Sequence, residues 1–193
     1  MRCKSDISLL PMYGGCAKPA QLEKADQALV DGVRQAGVSP SAASQQAARK
    51  GFAALLQSKD YVTSIKRFNQ AWLLDKNNGD AYYGFAMIAW LRDKDIKAAE
   101  GFFQESIGKN NADNSMLMSY AQFLFSQSRV VEAITPLEKL LQRYPASEHV
   151  NPMLAFAHAV KNKGKNQQSC AYAMAAVKKK EKLLQGTIKD YCN

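Results

Sequence analysis

The sequence carries none of the short motifs that mark common enzyme sites. A phosphate-binding glycine loop, a nucleophile elbow and a zinc-hydrolase motif are all missing from its 193 residues. Histidine occurs only twice, and His149 and His158 have no acidic or cysteine neighbours at the spacing of metal ligands. His158 lies in an apolar run, where a satisfied packing histidine is expected. The sequence therefore predicts no enzyme, no cofactor and no metal site.

Long apolar runs are also missing. No stretch of about 18 consecutive apolar residues occurs, so no membrane-spanning segment is predicted. An apolar share of 47% over 193 residues is nevertheless enough to bury a sizeable core without the support of a metal. One domain is expected from this length.

Cysteine is confined to the two ends of the chain, at positions 3, 16, 170 and 192. Cys170 is expected in a final helix that runs to about Leu184, which at about 1.5 Å per residue ends roughly 21 Å beyond it. The tail from Gly186 to Cys192, at about 3.3 Å per extended residue, can fold back over that distance. The geometry therefore allows a Cys170–Cys192 disulfide, which would fit an oxidising periplasm or exterior. Unpaired cysteines in a cytoplasmic protein are the alternative.

Basic residues outnumber acidic ones, with 26 Lys and Arg against 17 Asp and Glu and a formal net charge of +9. Such a balance can indicate nucleic acid, an acidic protein or an anionic membrane surface as partner. Many lysines lie in the last quarter of the chain, where Lys178–Lys182 is predicted as the solvated face of a capping helix. They are not interleaved with aromatic residues, so nucleic acid is not a predicted partner. An acidic partner or an anionic lipid stays open.

One spacing pattern recurs three times in the middle of the chain. It reads Tyr61-x2-Ser64-x3-Phe68-x2-Ala71, then Ile96-x2-Ala99-x3-Phe103-x2-Ser106, then Val130-x2-Ala133-x3-Leu137-x2-Leu140, with offsets of 35 and 34 residues. The pattern is similar to that of the tetratricopeptide repeat (TPR), whose helix pairs stack because one pair cannot bury its apolar face alone. We therefore predict an all-α fold, a right-handed superhelical α-solenoid of helix-turn-helix repeats.

Helix start and stop signals predict how the chain is organised. Residues 1–19 contain prolines and glycines and are expected to form an irregular leader, either a tether or a strap. A TPR-like domain over 20–193 then comprises an N-terminal helix at about 21–36, repeats at about 44–78, 79–112 and 113–146, a capping helix pair at about 150–185 and a tail at 186–193. Ser39 is expected to cap the helix that starts at Pro40. Pro136 predicts a kink or a late helix start.

Residues 44–90 resemble a group of bacterial exported TPR proteins, many of which are lipoproteins. The resemblance is carried by Ala48–Phe52, Asp60-Tyr61, Ile65–Asp75, Asn77-Asn78 and Tyr82–Phe85. It implies an all-helical, non-catalytic adaptor of the cell envelope. Polar residues follow Met1-Arg2-Cys3, as they would in a mature lipoprotein whose signal peptide is replaced by an initiator residue, so Cys3 is a candidate lipidation site. A periplasmic location, with a membrane anchor if Cys3 is acylated, is predicted, and a cytoplasmic location is the alternative.

The concave face of such an array is the predicted partner-binding groove. Its candidate residues are Arg49, Lys50, Tyr83, Phe85, Ile88, Arg92, Met118 and Gln122. They are too few to clamp a peptide carboxylate, because one exposed ion pair contributes only about 0 to 1 kcal/mol. A groove with one basic end and an apolar middle is expected, suited to an amphipathic helix or an extended peptide. An alternative register of the second repeat places Tyr83, Met87 and Trp90 there instead of Phe85 and Ile88.

These patterns favour a protein-binding scaffold or adaptor of the bacterial cell envelope. The alternative is an immunity or inhibitor lipoprotein that neutralises a secreted toxin in the periplasm, where a small basic protein could cover an acidic active site. A self-associating structural role is a third hypothesis, and the oligomeric state is not predicted. Pro11-Met12-Tyr13 in the leader is a candidate to occupy the groove and so to regulate binding.

Overall fold

The computed structural model describes residues 3, 6–109 and 113–192, and throughout this part of the chain the regular structure is helical, as predicted. The α-helices are α1 (Ala20–Gln35), α2 (Pro40–Ser58), α3 (Tyr61–Leu74), α4 (Gly79–Ile88), α5 (Ile96–Gly108), α6 (Asn114–Ser126), α7 (Ile134–Arg143), α8 (Val150–Lys161) and α9 (Gln167–Lys178). A π-helical turn, Ala89–Asp93, follows α4 directly. Over the described residues, no helix has the length and apolar character needed to cross a membrane.

The chain forms two compact units, Met1–Ala112 and Asp113–Asn193. Helices α1–α5 belong to the first unit and α6–α9 to the second. Within the first unit α2 packs on α3 and α4 packs on α5, and within the second α6 packs on α7 and α8 on α9. The repeats predict these helix pairs, whereas the sequence indicates no boundary inside residues 20–193.

The turns within the first two repeats are built alike. Lys59 and Lys94 adopt left-handed backbone conformations, with φ of 53° and 55°, and each is followed by an aspartate that caps the next helix. The N–H of Thr63 donates to Asp60 at 2.9 Å, and the N–H of Ala98 donates to the equivalent aspartate at 3.0 Å. Hydrogen bonds from the side chain and the backbone N–H of Thr63 lower the pKa of Asp60. The two turns therefore place α3 and α5 in equivalent positions relative to the helices that precede them.

Phe68 is the central side chain of the first unit. It is fully buried and lies against two glycines, Gly51 on α2 and Gly84 on α4. A Cβ atom at Gly51 would lie 2.6 Å from the ring of Phe68, and one at Gly84 would lie 2.3 Å from it. The absence of side chains at these two glycines therefore lets α2, α3 and α4 close around one aromatic ring.

The start of α7 agrees with one of the two sequence-based expectations, and the end of α9 differs from the prediction. A 3₁₀ turn at Val130–Ala133 precedes α7, so that Pro136 lies in the first helical turn, as a late start would place it. The last helix is shorter than predicted, because α9 ends at Lys178 and Lys180 is left-handed with φ 59°. Much of the predicted lysine face of a capping helix, Lys178–Lys182, therefore lies in a turn. Leu183 beyond it is buried against the helix pair α8 and α9.

Candidate functional site

The first helices of the two N-terminal repeats carry a connected group of aromatic side chains. Phe52 on α2 lies 4.9 Å from Phe68 in an edge-on contact and 4.8 Å from Tyr83 on α4, between ring centroids. Tyr83 and Trp90 each lie 6.3 Å from the buried ring of Phe103. Phe52, Tyr83 and Trp90 are themselves half-buried. We call these three side chains the aromatic face.

Two predicted cations lie close to the aromatic face in sequence. Arg49 and Lys50 are exposed on α2, and Arg49 precedes Phe52 by three residues, a spacing that puts both on neighbouring parts of one helix surface. The sequence predicts Tyr83 for this site but not Phe52. The sequence feature that could have identified Phe52 as a site residue is its position about one helical turn after the predicted basic pair.

Phe85 and Ile88 are not groove residues, which corrects the prediction. Both have 0% exposure, and Phe85 packs between Tyr82 and Phe102 with ring centroids at 6.2 and 5.6 Å. The reason is that α4 is covered on several sides, so every residue from Gly84 to Ala89 is buried. The alternative register describes the surface better, since Tyr83 and Trp90 are half-buried, although Met87 is buried.

Arg92, another predicted groove residue, is engaged elsewhere, which is a second correction. Its guanidinium donates to the carboxylate of Asp93 at 2.6 Å and to the backbone carbonyl of Leu9 at 2.9 Å. The second contact joins residues 83 apart in sequence. Arg92 therefore holds the N-terminal segment rather than facing a groove.

The remaining predicted groove residues, Met118 and Gln122, lie on α6 in the second unit. Met118 is half-buried and Gln122 is exposed. Their spacing of four residues puts them on one side of the helix. They form a pair within their own unit.

Residues 6–16 form the strap, a folded segment rather than a loose leader. Two short turns, Ile7–Leu9 and Pro11–Gly15, pack against α3, and Ile7 and Tyr13 are buried. Asn69 on α3 has 1% exposure, and its amide nitrogen donates to the carbonyls of Ser8 and Leu10 at 3.0 and 2.9 Å. The strap lies on α3 and does not cover Arg49 and Lys50, which are exposed.

A disulfide joins Cys3 to Cys16 across the strap, with 5.8 Å between their Cα atoms. This corrects the prediction of lipidation, because a sulfur in a disulfide is not a thiol that can be acylated. A disulfide that closes a loop of roughly 15 residues stabilises the folded state by about 3 kcal/mol, because it lowers the entropy of the unfolded chain. The signal in the sequence is the even number of cysteines, which leaves this pair once Cys170 and Cys192 are joined.

The backbone of the strap is strained at two residues. Met12 and Tyr13 have φ of 51° and 56° and are followed by two glycines that are also left-handed. The left-handed conformation costs a non-glycine residue about 1 to 2 kcal/mol. The disulfide and the hydrogen bonds from α3 and Arg92 offset this cost, so they hold the strap in a conformation that it would not adopt alone.

Tyr13 also links the strap to α1. Its hydroxyl donates to Asp26 at 3.1 Å, Lys18 pairs with the same carboxylate, and the Lys18 ammonium lies 3.7 Å from the centre of the Tyr13 ring. Burial, reinforced by the negative charge of Asp26, raises the pKa of Tyr13 well above its ordinary value. No residue of α1 is itself buried. The contact with Tyr13 is therefore one of the specific anchors of a lightly packed helix.

The second unit contains the disulfide that the sequence allows, Cys170–Cys192, with a Cα separation of 4.6 Å. It fixes the C-terminal tail to α9, where Ser169 donates to the carbonyl of Tyr191 at 3.1 Å. Tyr191 is 3% exposed and donates its hydroxyl to the carbonyl of Gln185 at 2.9 Å. The tail is therefore part of the core of this unit.

His158 is buried as predicted but is not fully satisfied. Its ring stacks on Tyr172 with centroids 5.4 Å apart, and Nε2 lies 3.4 Å from the carboxylate of Glu138. Nδ1 has no hydrogen-bond partner within the described structure. Glu138 and burial together raise the pKa of Tyr172, burial having the larger effect. Across the described residues, no group of His, Cys, Asp and Glu is arranged to hold a metal ion.

Comparisons with known proteins bear on the fold. No protein-family model matches the chain, and no curated protein matches its sequence. A solved structure described as "Functional Characterization of Pseudomonas Aeruginosa pilF" is similar, with a TM-score of 0.60 and 20% identity. The similarity covers 72% of this chain and 62% of that one, which is a TPR-containing protein. The predicted TPR-like helical fold is therefore confirmed, while the resemblance to exported lipoproteins stays a prediction.

Proposed function

We propose that this protein is a non-catalytic scaffold of the bacterial cell envelope that binds a protein partner on the aromatic face of its first unit. One observation carries the proposal: Phe52, Tyr83 and Trp90 are held half-buried, and the exposed Arg49 lies three residues before Phe52 on α2, next to the exposed Lys50. Aromatic and arginine side chains dominate the binding energy of protein interfaces. The TPR-like fold supports the same class of function, since related folds generally bind proteins.

The aromatic face is suited to recognition because its rings are already ordered. Phe52 is fixed by Phe68, and Tyr83 and Trp90 are fixed by Phe103, before any partner arrives. A partner therefore gains apolar contact without the entropy cost of ordering these side chains, about 0.5 to 1.5 kcal/mol for each flexible group that must be immobilised. The adjacent cations favour an acidic amphipathic segment and would raise its association rate.

The pairing of all four cysteines supports a location outside the cytoplasm. Disulfides persist in oxidising compartments such as the periplasm and are rare where thiols are kept reduced. Acylation of Cys3 is not part of the proposal, because its sulfur is joined to Cys16.

The test is capture of a partner from envelope extract with the oxidised, full-length protein, followed by identification of the captured protein by mass spectrometry. We expect one stoichiometric protein, and we expect R49E/K50E to bind it about tenfold more weakly, because the steering charges are reversed. The matched control is K24E/K97E, which makes the same change of charge at two exposed lysines elsewhere in the first unit. Both variants are expected to melt within a few degrees of the wild type.

If R49E/K50E captures the partner as well as the wild type does, the aromatic face is not the binding site. If K24E/K97E loses as much binding as R49E/K50E, the loss is an effect of net charge and not of these two positions. The identity of the captured protein separates an adaptor from an immunity protein, because only the latter would capture a toxin. The third hypothesis, self-association, predicts a mass in solution that rises with protein concentration.

A further inference from the structure

The first turn of the strap, Ile7–Leu9, is held mainly through its backbone, whereas Tyr13 anchors the second turn through its buried ring and its hydroxyl. The carbonyl oxygens of three consecutive residues, Ser8, Leu9 and Leu10, accept hydrogen bonds from the side chains of Asn69 and Arg92. These oxygens end a single 3₁₀ turn, so the two side chains cap it as they would cap any short helical turn. Apart from Ile7, which is buried, little in this contact depends on the side chains of the turn.

The strap does not fill the surface that it covers. A cavity of about 560 Å³ lies between the strap and the end of α4, lined by Leu10, Met12, Ala89 and Phe102 among others. A second cavity of about 210 Å³ lies beside Asn69, between the strap and α1. The side-chain oxygen of Asn69 is buried and has no hydrogen-bond partner in the described structure. A buried amide oxygen without a partner is costly, so the docked strap leaves part of the hydrogen-bonding capacity of Asn69 unused.

The strap is also kept in place covalently. Its strained residues, Met12 and Tyr13, disfavour the docked conformation, whereas the Cys3–Cys16 bond favours it. Cys3 is exposed, so this disulfide is open to attack by a thiolate. The strap is strained, incompletely packed and closed by a reversible covalent bond. These properties favour a segment that can leave its binding surface while the rest of the first unit stays folded.

We propose that the surface formed by Asn69 and Arg92 is a second docking site, for a short helical turn of a protein partner, and that the strap occupies it in cis. The preferred turn has an apolar first residue, as Ile7 is in the strap, and three carbonyl oxygens at its end that accept from Asn69 and Arg92, as those of Ser8, Leu9 and Leu10 do. This inference rests on the proposed function, because it assumes that the protein binds a protein partner. It uses different residues from the aromatic face.

Opening of the strap is a two-electron reduction by a dithiol protein. A thiolate of the dithiol attacks one sulfur of the Cys3–Cys16 bond and forms a mixed disulfide, and the Cys3 or Cys16 thiolate that leaves takes up a proton. The second thiol of the reductant then displaces the remaining strap sulfur. The strap ends as two thiols and the reductant ends as its own disulfide.

The experiment measures binding of a fluorescein-labelled peptide with the sequence of residues 6–15 by fluorescence anisotropy. The receptor is the full-length variant C3S/C16S/I7D, in which the disulfide is removed and an aspartate evicts the buried Ile7 from its own site. The controls are the oxidised wild type and C170S/C192S, in which the other disulfide is removed and the strap stays closed. A peptide carrying the same Ile7→Asp change tests the apolar requirement.

We expect the peptide to bind C3S/C16S/I7D at least about tenfold more tightly than it binds either control. Adding Asn69→Ala to this variant should weaken peptide binding about tenfold, because two hydrogen bonds are lost. Absence of binding to a folded C3S/C16S/I7D would overturn the proposal. So would equal binding by the Asn69→Ala variant, or loss of cooperative unfolding in C3S/C16S/I7D, since the strap would then be integral to the core. Capture through the aromatic face is measured with the strap closed, so either proposal can fail alone.

Discussion

Replacing Gly84 by alanine would place a methyl group against the ring of Phe68. The added Cβ would lie 2.3 Å from the nearest ring atom, closer than real Cβ contacts, and Phe68 cannot move away freely because it is fully buried and also touches Gly51. Overpacking of this kind costs about 1 to 3 kcal/mol. The same substitution gains up to about 1 kcal/mol of helix propensity. Because the contact of 2.3 Å involves a fully buried ring, the overpacking cost lies in the upper part of its range, about 2 to 3 kcal/mol, and a net loss of about 1 to 2 kcal/mol is expected.

Tryptophan fluorescence is the assay, because the only two tryptophans, Trp72 and Trp90, both lie in the first unit. The expected loss corresponds to a fall in Tm of roughly 5 to 15 °C for a unit of this size. Gly101→Ala is the matched control, since Gly101 is exposed within α5 and no other side chain or helix lies within 4 Å of the position that its Cβ would take. That variant should keep or raise the Tm, because it has the propensity gain without the clash.

A Gly84→Ala variant that melts at or above the wild-type temperature would refute the close packing of α4 on Phe68. A second measurement tests the contact itself. Phe68→Leu should cost less in the Gly84→Ala background than in the wild type, because the smaller side chain relieves the clash. Equal costs in the two backgrounds would show that the two positions are not coupled.

Two further predictions concern pH and the second disulfide. The lowered pKa of Asp60 means that its contribution to stability is present above the unfolded value of 3.8 and is lost as the pH falls through the folded pKa. Asp60→Asn, which keeps a capping side chain, should therefore flatten the acid side of the stability profile measured by urea unfolding, and an unchanged profile would contradict this. C170S/C192S should lose about 3 kcal/mol in the second unit by release of the tail. Hydrogen exchange at Tyr191 should rise, and unchanged protection there would contradict it.

Local signals in the sequence are sufficient for the helices. The starts of α2, α3 and α5 follow from Ser39, Asp60 and Asp95, which cap them through hydrogen bonds made within three residues. The small residues of the repeats, such as Ser64 and Ala99, are buried where helices meet. The helix caps depend on residues within one turn, and the buried small residues recur with a regular period. Both can therefore be predicted from the sequence without knowledge of the fold.

Parts of the candidate site depend on contacts between distant segments. Periodicity does not distinguish Tyr83 from Phe85, because α4 is apolar on every side, and only packing against α2, α3 and α5 decides which side chain stays half-exposed. The role of Arg92 in holding the strap cannot be seen in the sequence, because the Leu9 carbonyl to which it donates lies 83 residues away. The leader looks irregular because its two short turns carry no periodic pattern and are held in place by Asn69 and by a disulfide.

The fold class, the repeat period, the starts of the capped helices and the exposed basic pair Arg49 and Lys50 can thus be derived from the order of the residues, whereas the end of α9 cannot. Each follows from short-range hydrogen bonding or from a periodic apolar pattern. Three features emerge only when the chain is folded: which aromatic rings form a surface, that Cys3 pairs with Cys16, and that the strap lies on α3. Burial and pairing are properties of what packs against a residue, and for the aromatic face and the strap the decisive neighbours lie on other elements of the fold.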